Sequence, residues 1–228
     1  MTMEPGAQPF DFGRKVDTHL FDRVIDEGYE VNMSDYISES WDFFKVHAAE
    51  FSGFTLILFL LTAVLSKLDI FGSIALTAVM SPLYAGYVIV TLKKIQGEAF
   101  RFSDFFQGFN SFLPLVLAGF LTGILVTIGM VLFLLPGIYL AVGYMFTTAF
   151  IVDYRMDFWQ AMETSRRIVT KNWFSLFVFG LLLALINLLG VLAFGIGLLV
   201  TIPVSACAVV LAYRDIAGVH GGEWRRPL

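Results

Sequence analysis

Two long apolar blocks decide what this chain can fold into. They cover residues 111–153 and 173–213, and the first charged residue in either of them is Asp153. A helix crosses the hydrocarbon core of a bilayer with about 20 residues, so blocks of this length each accommodate a hairpin of two helices. Two shorter blocks, 51–66 and 70–92, supply one span each. The sequence therefore predicts an all-α membrane protein with six transmembrane helices, at 51–67, 70–93, 110–128, 131–153, 172–189 and 192–213.

Composition agrees with a membrane protein and excludes a soluble domain. Hydrophobic residues make up 57% of the 228 residues and charged residues only 15%, whereas a soluble domain has about 45–50% and about 25%. The single cysteine, Cys207, excludes a disulfide scaffold. The net charge of −4 is the sum of −7 over residues 1–50 and +3 over residues 51–228.

Lysine and arginine residues predict the orientation of the spans. With six helices, fourteen of the fifteen basic residues lie on the side that holds both termini, and Lys67 alone lies on the other side. All four tryptophans belong to the basic side as well. Because cytoplasmic loops carry the excess of Lys and Arg, we expect a multi-pass protein with both termini in the cytoplasm.

Internal similarity at a spacing of about 60 residues indicates a repeat. A shift of 62 pairs Ser103 with Ser165, and a shift of 61 pairs Gly119 with Gly180. The similarity predicts three pseudo-repeats, at about 34–93, 98–155 and 157–215, each an amphipathic helix followed by a helical hairpin. Chance similarity between apolar segments is the alternative. The units form a membrane domain, 34–217, between an acidic cytoplasmic tail, 1–33, and a C-terminal tail, 218–228. The repeat also places the turn between the third and fourth helices at Gly129 and a kink at Pro136.

The amphipathic helices provide candidate contacts for lipid headgroups. The spacing of Ile37, Trp41, Phe44 and Ala48 predicts one apolar face, and that of Phe158, Met162, Ser165 and Val169 predicts another. Such helices lie in the headgroup plane, where basic residues attract anionic lipid. The alternative is that these basic residues only set the topology. The candidate contacts are Lys93, Lys94, Arg155, Arg166, Arg167 and Lys171.

Small and hydroxyl-bearing residues recur every four positions along the predicted spans. Helices in a bilayer associate through close backbone approach at such residues, so we interpret these stripes as packing surfaces. A transport path along the hydroxyl groups is the alternative. For Asn187, in the fifth span, we expect an interhelical hydrogen bond. The predicted packing residues are Ser73, Thr77, Ser81, Gly119, Gly123, Thr127, Gly180, Ala184, Gly197, Thr201 and Ser205.

The sequence carries no recognisable chemistry for catalysis. The middle of each predicted span lacks ionisable residues, which argues against ion-coupled transport. The three histidines have no metal-ligand spacing, and the chain contains no hydrolase, metalloprotease or phosphate-loop motif. We therefore expect neither a catalytic site nor a metal or other cofactor, and nothing indicates nucleic-acid binding.

Six short segments of the chain form a recognisable set of motifs: Gly28–Tyr29, Ser38–Trp41, Asp104–Phe109, Leu135–Leu140, Met156–Arg167 and Asn172–Phe174. Together they resemble a broad group of bacterial integral membrane proteins of unknown function. That group is distantly similar to the membrane domain of some glycerophosphoryl diester phosphodiesterases. The resemblance covers roughly residues 28–217 and implies a location in the bacterial inner membrane, but it implies no reaction.

Two functions fit these features. The first is a non-enzymatic structural or adaptor subunit that docks a membrane or cytoplasmic protein partner, or anionic lipid, on its cytoplasmic face. The alternative is a transporter or channel for a lipid-like or weakly polar solute. Membrane lipids are expected partners in both cases, and an oligomer is compatible with either.

Overall fold

The protein is helical, and six of its helical stretches are long and apolar enough to span a membrane. The computed structural model describes residues 13–67 and 69–220, with the backbone alone over 69–73. The all-α membrane fold is thereby confirmed. Short 3₁₀ helices cover Thr18–Phe21 and Phe102–Ser111. The α-helices are α1 (Asp22–Glu27), α2 (Met33–Val46), α3 (Ala48–Leu65), α4 (Asp69–Ile95), α5 (Phe112–Leu132), α6 (Leu134–Gly143), α7 (Thr147–Tyr154), α8 (Phe158–Lys171), α9 (Trp173–Leu192) and α10 (Leu198–Ala217).

The spans are α3, α4, α5, the broken pair α6–α7, α9 and α10. Helix α10 is the most buried of these and contacts α2, α3, α4 and α9. Aromatic side chains fill the spaces beside it, with Phe150 5.0 Å from Tyr213 between ring centroids and Phe54 4.5 Å from Phe105. The bundle is therefore organised around one buried helix.

The segments between hairpins fold back along the span before them. The 3₁₀ helix Phe102–Ser111 lies along α4, where Gly86 faces the carbonyl of Phe105 and Gly108 faces that of Pro82. A side chain at either glycine would collide with that carbonyl, so both positions require glycine. Helix α8 lies along α7 and α6 in the same way.

The predicted face of α8 is a single face of the helix, and it is turned towards the protein. Met162, Ser165 and Val169 are at most 2% exposed, because this face packs against the rest of the chain. The predicted face of α2 differs from the structure because its four residues do not belong to one helix. Trp41 is 45% exposed, and Ala48 belongs to α3.

The turn between the third and fourth spans differs from the predicted one. Helix α5 continues to Leu132, and Phe133 is the only residue between it and α6. Gly129 is instead a contact point, because a Cβ there would lie 2.8 Å from the Cα of Gly137. Pro136 lies in the first turn of α6, where a missing N–H is tolerated, so it does not kink the helix. The interruption in the fourth span lies further along, between Gly143 and Thr147.

Residues 13–31 are part of the folded structure. The N–H of Arg14 donates to the carbonyl of Arg155 at 2.7 Å, and the Tyr29 hydroxyl donates to that of Ile168 at 2.9 Å. Phe21 is 1% exposed. Within the predicted tails, 1–12 and 221–228 lie outside the described residues, and the three-unit repeat stays a prediction.

Candidate functional site

A cleft with a volume of about 450 Å³ opens between α4, α5 and the start of α7. This volume falls within the usual range of about 300–1,000 Å³ for small-molecule sites. Seven of the lining residues carry a hydroxyl group, and none carries a charge. The lining residues are Thr77, Met80, Ser81, Tyr84, Leu115, Ala118, Gly119, Thr122, Gly123, Tyr144, Thr147 and Thr148.

The interruption of the fourth span forms one wall of the cleft. Helix α6 ends at Gly143 and α7 begins at Thr147, so the backbone between them leaves the helical hydrogen-bond pattern. Ser165 of α8 bridges this gap: its hydroxyl donates to the carbonyl of Gly143 at 2.7 Å and accepts from the N–H of Phe146 at 3.1 Å. Non-helical backbone at membrane depth needs such partners, because lipid offers none. Ser165 therefore holds the interruption in place.

Two predicted packing glycines control the shape of the cleft. At Gly119 a Cβ would collide with the Oγ of Ser81, so α4 and α5 touch there. At Gly123, one turn further along α5, a Cβ would meet no atom within 4 Å. The two helices thus diverge between these glycines. Both glycines were predicted to belong to one packing surface, but only Gly119 is in contact with α4, while Gly123 faces open space.

Several residues that line the cleft have a hydroxyl group without a hydrogen-bond partner in the described part of the chain. Thr147 is 5% exposed, yet its Oγ1 has no hydrogen-bond partner. Within the described part of the chain, the hydroxyls of Tyr84, Thr122, Tyr144 and Thr148 have no hydrogen bond either. Ser81 differs, because its hydroxyl donates to the carbonyl of Thr77 at 2.8 Å.

Threonines in other spans show the ordinary arrangement. Thr55, Thr62 and Thr91 each donate to the carbonyl four residues earlier, at 2.8, 2.8 and 2.7 Å. A buried hydroxyl without a partner costs roughly 1–3 kcal/mol relative to a satisfied one. The Oγ1 of Thr147 is enclosed by the protein, whereas the other unpartnered hydroxyls belong to lining residues that are partly or largely exposed.

The stripe on α10 serves helix packing against α9. A Cβ on Gly197 would lie 2.7 Å from the Cα of Gly190, and one on Gly190 would lie 2.5 Å from the Oγ1 of Thr201. The Nδ2 of Asn187 donates to the Oγ of Ser205 at 2.8 Å, which confirms the predicted interhelical hydrogen bond. Because α4 lines the cleft while this stripe meets α9, the two stripes do not line one common path.

The remaining predicted packing residues have separate surroundings. A Cβ on Gly180 would lie 3.4 Å from the Cε of Met145, which places α9 beside the interruption of the fourth span. Thr127 and Ala184 are exposed on the bundle surface. The side chain of Ser73 lies outside the described residues.

Three of the six predicted lipid-contact residues form ion pairs within the chain. The Glu163 carboxylate and the Tyr139 hydroxyl raise the pKa of Arg166, so its guanidinium stays charged. Lys94, Arg155 and Lys171 are exposed, and no ion pair involves them among the described residues. The internal pairs are Lys93–Asp104 at 3.0 Å, Arg166–Glu163 at 2.7 Å and Arg167–Asp22 at 3.6 Å.

Sequence reasoning found part of the cleft and missed the rest. Thr77, Ser81, Gly119 and Gly123 were expected to pack helices, and the structure brings all four to the cleft. The hydroxyl residues of α7 and its preceding turn were not singled out. The signal available in the sequence was the adjacent pair Thr147–Thr148, which interrupts a long apolar block.

Comparisons with protein-family models, with curated proteins and with solved structures found no match to this chain. The resemblance to bacterial membrane proteins of unknown function stays a prediction.

Proposed function

We propose that this protein binds a lipid-like or weakly polar solute in the cleft between α4, α5 and α7, without catalysing a reaction on it. One observation carries the proposal: an uncharged cleft of about 450 Å³ opens beside the interruption of the fourth span and is lined by apolar side chains together with seven residues that carry a hydroxyl group. Binding of this kind serves a carrier or transporter, and discontinuous helices are common at transporter binding sites.

The mixed lining supports a ligand with both polar and apolar parts. Met80, Leu115 and Ala118 offer apolar surface, while the hydroxyls offer both donors and acceptors. A purely apolar ligand would leave the hydroxyls unsatisfied. A strongly polar ligand would gain too little from the apolar wall. An amphiphile satisfies both.

We also propose that the protein resides in a bacterial inner membrane with both termini in the cytoplasm. The location rests on the resemblance described above. The orientation rests on the distribution of Lys and Arg, fourteen on one side of the six spans and one on the other.

Docking of anionic lipid on the cytoplasmic face is a second proposal, with a specific observation behind it. Lys94, Arg155 and Lys171 are exposed and without internal ion pairs in the described ranges. Replacing these three with glutamine should weaken association with phosphatidylglycerol vesicles at low salt, and unchanged association would refute it.

An adaptor role towards a protein partner stays a prediction. The N-terminal segment, which belongs to the expected cytoplasmic face, contacts residues 155–172 of its own chain.

Binding in the cleft can be tested with a substitution whose side chain fills the cleft. Gly123→Leu adds a side chain where a Cβ meets no atom within 4 Å, so we expect it to fold and to occupy the cleft. Gly53→Leu is the matched control, because Gly53 is also a glycine of a span with open space around it and lies outside the cleft.

Native mass spectrometry from a mild detergent then compares the lipid retained by both variants and by the unmodified protein. We expect retained lipid to be lost from Gly123→Leu and kept by Gly53→Leu, at similar thermal stability. Equal retention by the two variants would refute binding in the cleft.

A further inference from the structure

Helix α8 limits how deep the hairpin α5–α6 can reach into a bilayer. The indole Nε1 of Trp173, the first residue of α9, donates to the backbone carbonyl of Tyr139 at 3.4 Å. The Tyr139 hydroxyl also lies 2.7 Å from the Oγ1 of Thr170 in the last turn of α8. Tyr139 belongs to α6, which begins at Leu134. The end of α8 therefore lies beside α6, close to the turn between α5 and α6.

The short distance from this contact to the turn at Phe133 can be estimated. Phe133 precedes Tyr139 by six positions, which is about 9 Å at the helical rise of 1.5 Å per residue. With the 3.4 Å hydrogen bond added, the turn lies no more than about 13 Å from the indole of Trp173. The hydrocarbon core of a bilayer is about 30 Å thick. If the turn reached the far surface, the Trp173 indole and the end of α8 would lie near the middle of the core.

The charges of α8 exclude that position. The side chains of Glu163, Arg166 and Arg167 are 42%, 35% and 42% exposed. Lys171, the last residue of the helix, is exposed as well. Charged side chains are costly in the hydrocarbon core and face the protein interior or a water-filled cavity when they occur there. Helix α8 must therefore lie in the headgroup region up to its last turn, and its contacts with α6 hold the hairpin at that level.

We propose that the hairpin α5–α6 enters the bilayer and returns without crossing it, and that its tip, residues 128–136, contacts acyl chains inside the hydrocarbon core. Length and hydropathy qualify α5 and the pair α6–α7 as spans, but the contacts with α8 limit how far they reach. A hairpin that turns back and a hairpin that crosses twice both begin and end on the same side. The inference therefore leaves the distribution of basic residues unchanged, and it does not depend on the proposed cleft.

The side chains of the tip suit contact with hydrocarbon alone. No residue in the segment 128–138 has a polar side chain. Val131, Phe133 and Leu135 are 79%, 73% and 77% exposed, so the tip presents an uninterrupted apolar surface. Contact of such a surface with water costs about 25 cal/mol per Å², whereas contact with acyl chains does not. The turn of the first hairpin differs, because the charged Lys67 is exposed there.

The exposed part of the hairpin has the depth of about half a bilayer. Apart from Ala141, every exposed residue of α5 and α6 lies between Gly123 and Pro136. On α5 this stretch runs from Gly123 to Leu132, which is about 15 Å of helix. The remainder of α5 is covered at least in part by the protein. The surface that lipid can cover thus ends well short of the thickness of the whole core.

The backbone of the turn is also suited to lipid, which offers no hydrogen-bond partners. A single residue, Phe133, connects the two helices, and its N–H donates to the carbonyl of Gly129 at 3.0 Å. Pro136, in the first turn of α6, has no N–H that needs a partner. The turn therefore places few backbone donors in the hydrocarbon.

Spin labelling of the full chain in phosphatidylcholine bilayers tests the inference. A nitroxide is attached to Phe133→Cys and, as a second position of the tip, to Val131→Cys. Cys207 is fully buried, so the unmodified protein should take up no label. Lys67→Cys and Lys171→Cys are the matched controls, because both lysines are exposed and charged. Two relaxing agents are compared, a water-soluble nickel chelate and molecular oxygen, which dissolves in hydrocarbon.

We expect oxygen to relax the labels at Phe133→Cys and Val131→Cys, and relaxation by the nickel chelate to be lost at both positions. The chelate should relax both control labels. Relaxation of the tip labels by the chelate would place the turn in water and overturn the inference. Little relaxation by either agent would overturn it as well, because a second copy of the chain or another protein would then cover the tip.

Discussion

Ser165→Ala is the substitution that tests most sharply how the cleft is built. Ser165 is fully buried, and its hydroxyl is the link between α8 and the interruption of the fourth span. The alanine variant keeps the Cβ and removes only the oxygen, so it leaves no large cavity. It does leave the carbonyl of Gly143 and the N–H of Phe146 without their partner.

The magnitude follows from these two backbone groups. A buried donor or acceptor that loses its partner costs about 1–3 kcal/mol, and in lipid no water replaces the partner. Two such groups make a loss of roughly 2–6 kcal/mol in the free energy of unfolding. Because the wall of the cleft depends on the same bridge, lipid retention should fall together with stability.

The measurement is reversible unfolding by SDS in mixed micelles, followed by circular dichroism. Ser40→Ala is the matched control, because Ser40 is equally buried but donates only to the carbonyl of Ile37 inside its own helix, at 2.8 Å. That carbonyl keeps its helical donor, so we expect the control to lose less than about 1 kcal/mol. Equal small losses for both variants would refute the claim that Ser165 holds the interruption.

Three further predictions follow. Gly86→Ala should prevent correct packing of the 3₁₀ helix Phe102–Ser111, because its Cβ would collide with the carbonyl of Phe105; a yield and melting temperature equal to those of the unmodified protein would refute it. Cys207 is fully buried in α10, so a maleimide should modify it only after unfolding, and fast modification of the folded protein would contradict the central position of α10. The hydrogen bond and charge of Asp22 raise the pKa of His19 above 6.5. The protonated ring therefore stabilises the N-terminal segment at acidic pH, and this contribution is lost as the pH rises through the raised pKa. In an NMR titration, Asp22→Asn should return the His19 pKa towards 6.5.

The spans could be predicted because their signal is local. A block of 41 apolar residues admits few arrangements in a bilayer, and small residues such as Gly197 identify contact positions without knowledge of the partner helix. The interruption of the fourth span has no comparable signal. Pro136 is the obvious helix breaker, but it lies in a first turn, where proline is tolerated. At the observed interruption, the backbone groups of Phe146 and Gly143 form hydrogen bonds with Ser165, which lies 19 and 22 residues further along the chain.

The cleft was only partly predictable for a related reason. Gly119 and Gly123 lie four residues apart on the same helix, so the sequence gives no reason to distinguish them. In the structure Gly119 contacts Ser81 of α4, whereas Gly123 faces open space, and this difference depends on how α4 and α5 diverge. Thr147 resembles Thr55 as a residue type, and only the three-dimensional structure distinguishes the unpartnered hydroxyl from the bonded one. The burial of Phe21 was missed because it lies within an acidic segment that was expected to be a tail.

Photo-crosslinking with a lipid probe tests most directly the claim that a lipid-like solute binds in the cleft. A lipid that carries a photoactivatable group near its glycerol is added to the purified protein, and the modified residues are mapped by mass spectrometry. The account predicts crosslinks to the lining of the cleft on α4, α5 and α7, and their loss in Gly123→Leu but not in Gly53→Leu. Crosslinks spread evenly over the exposed faces of α3 and α9, unchanged by Gly123→Leu, would contradict it.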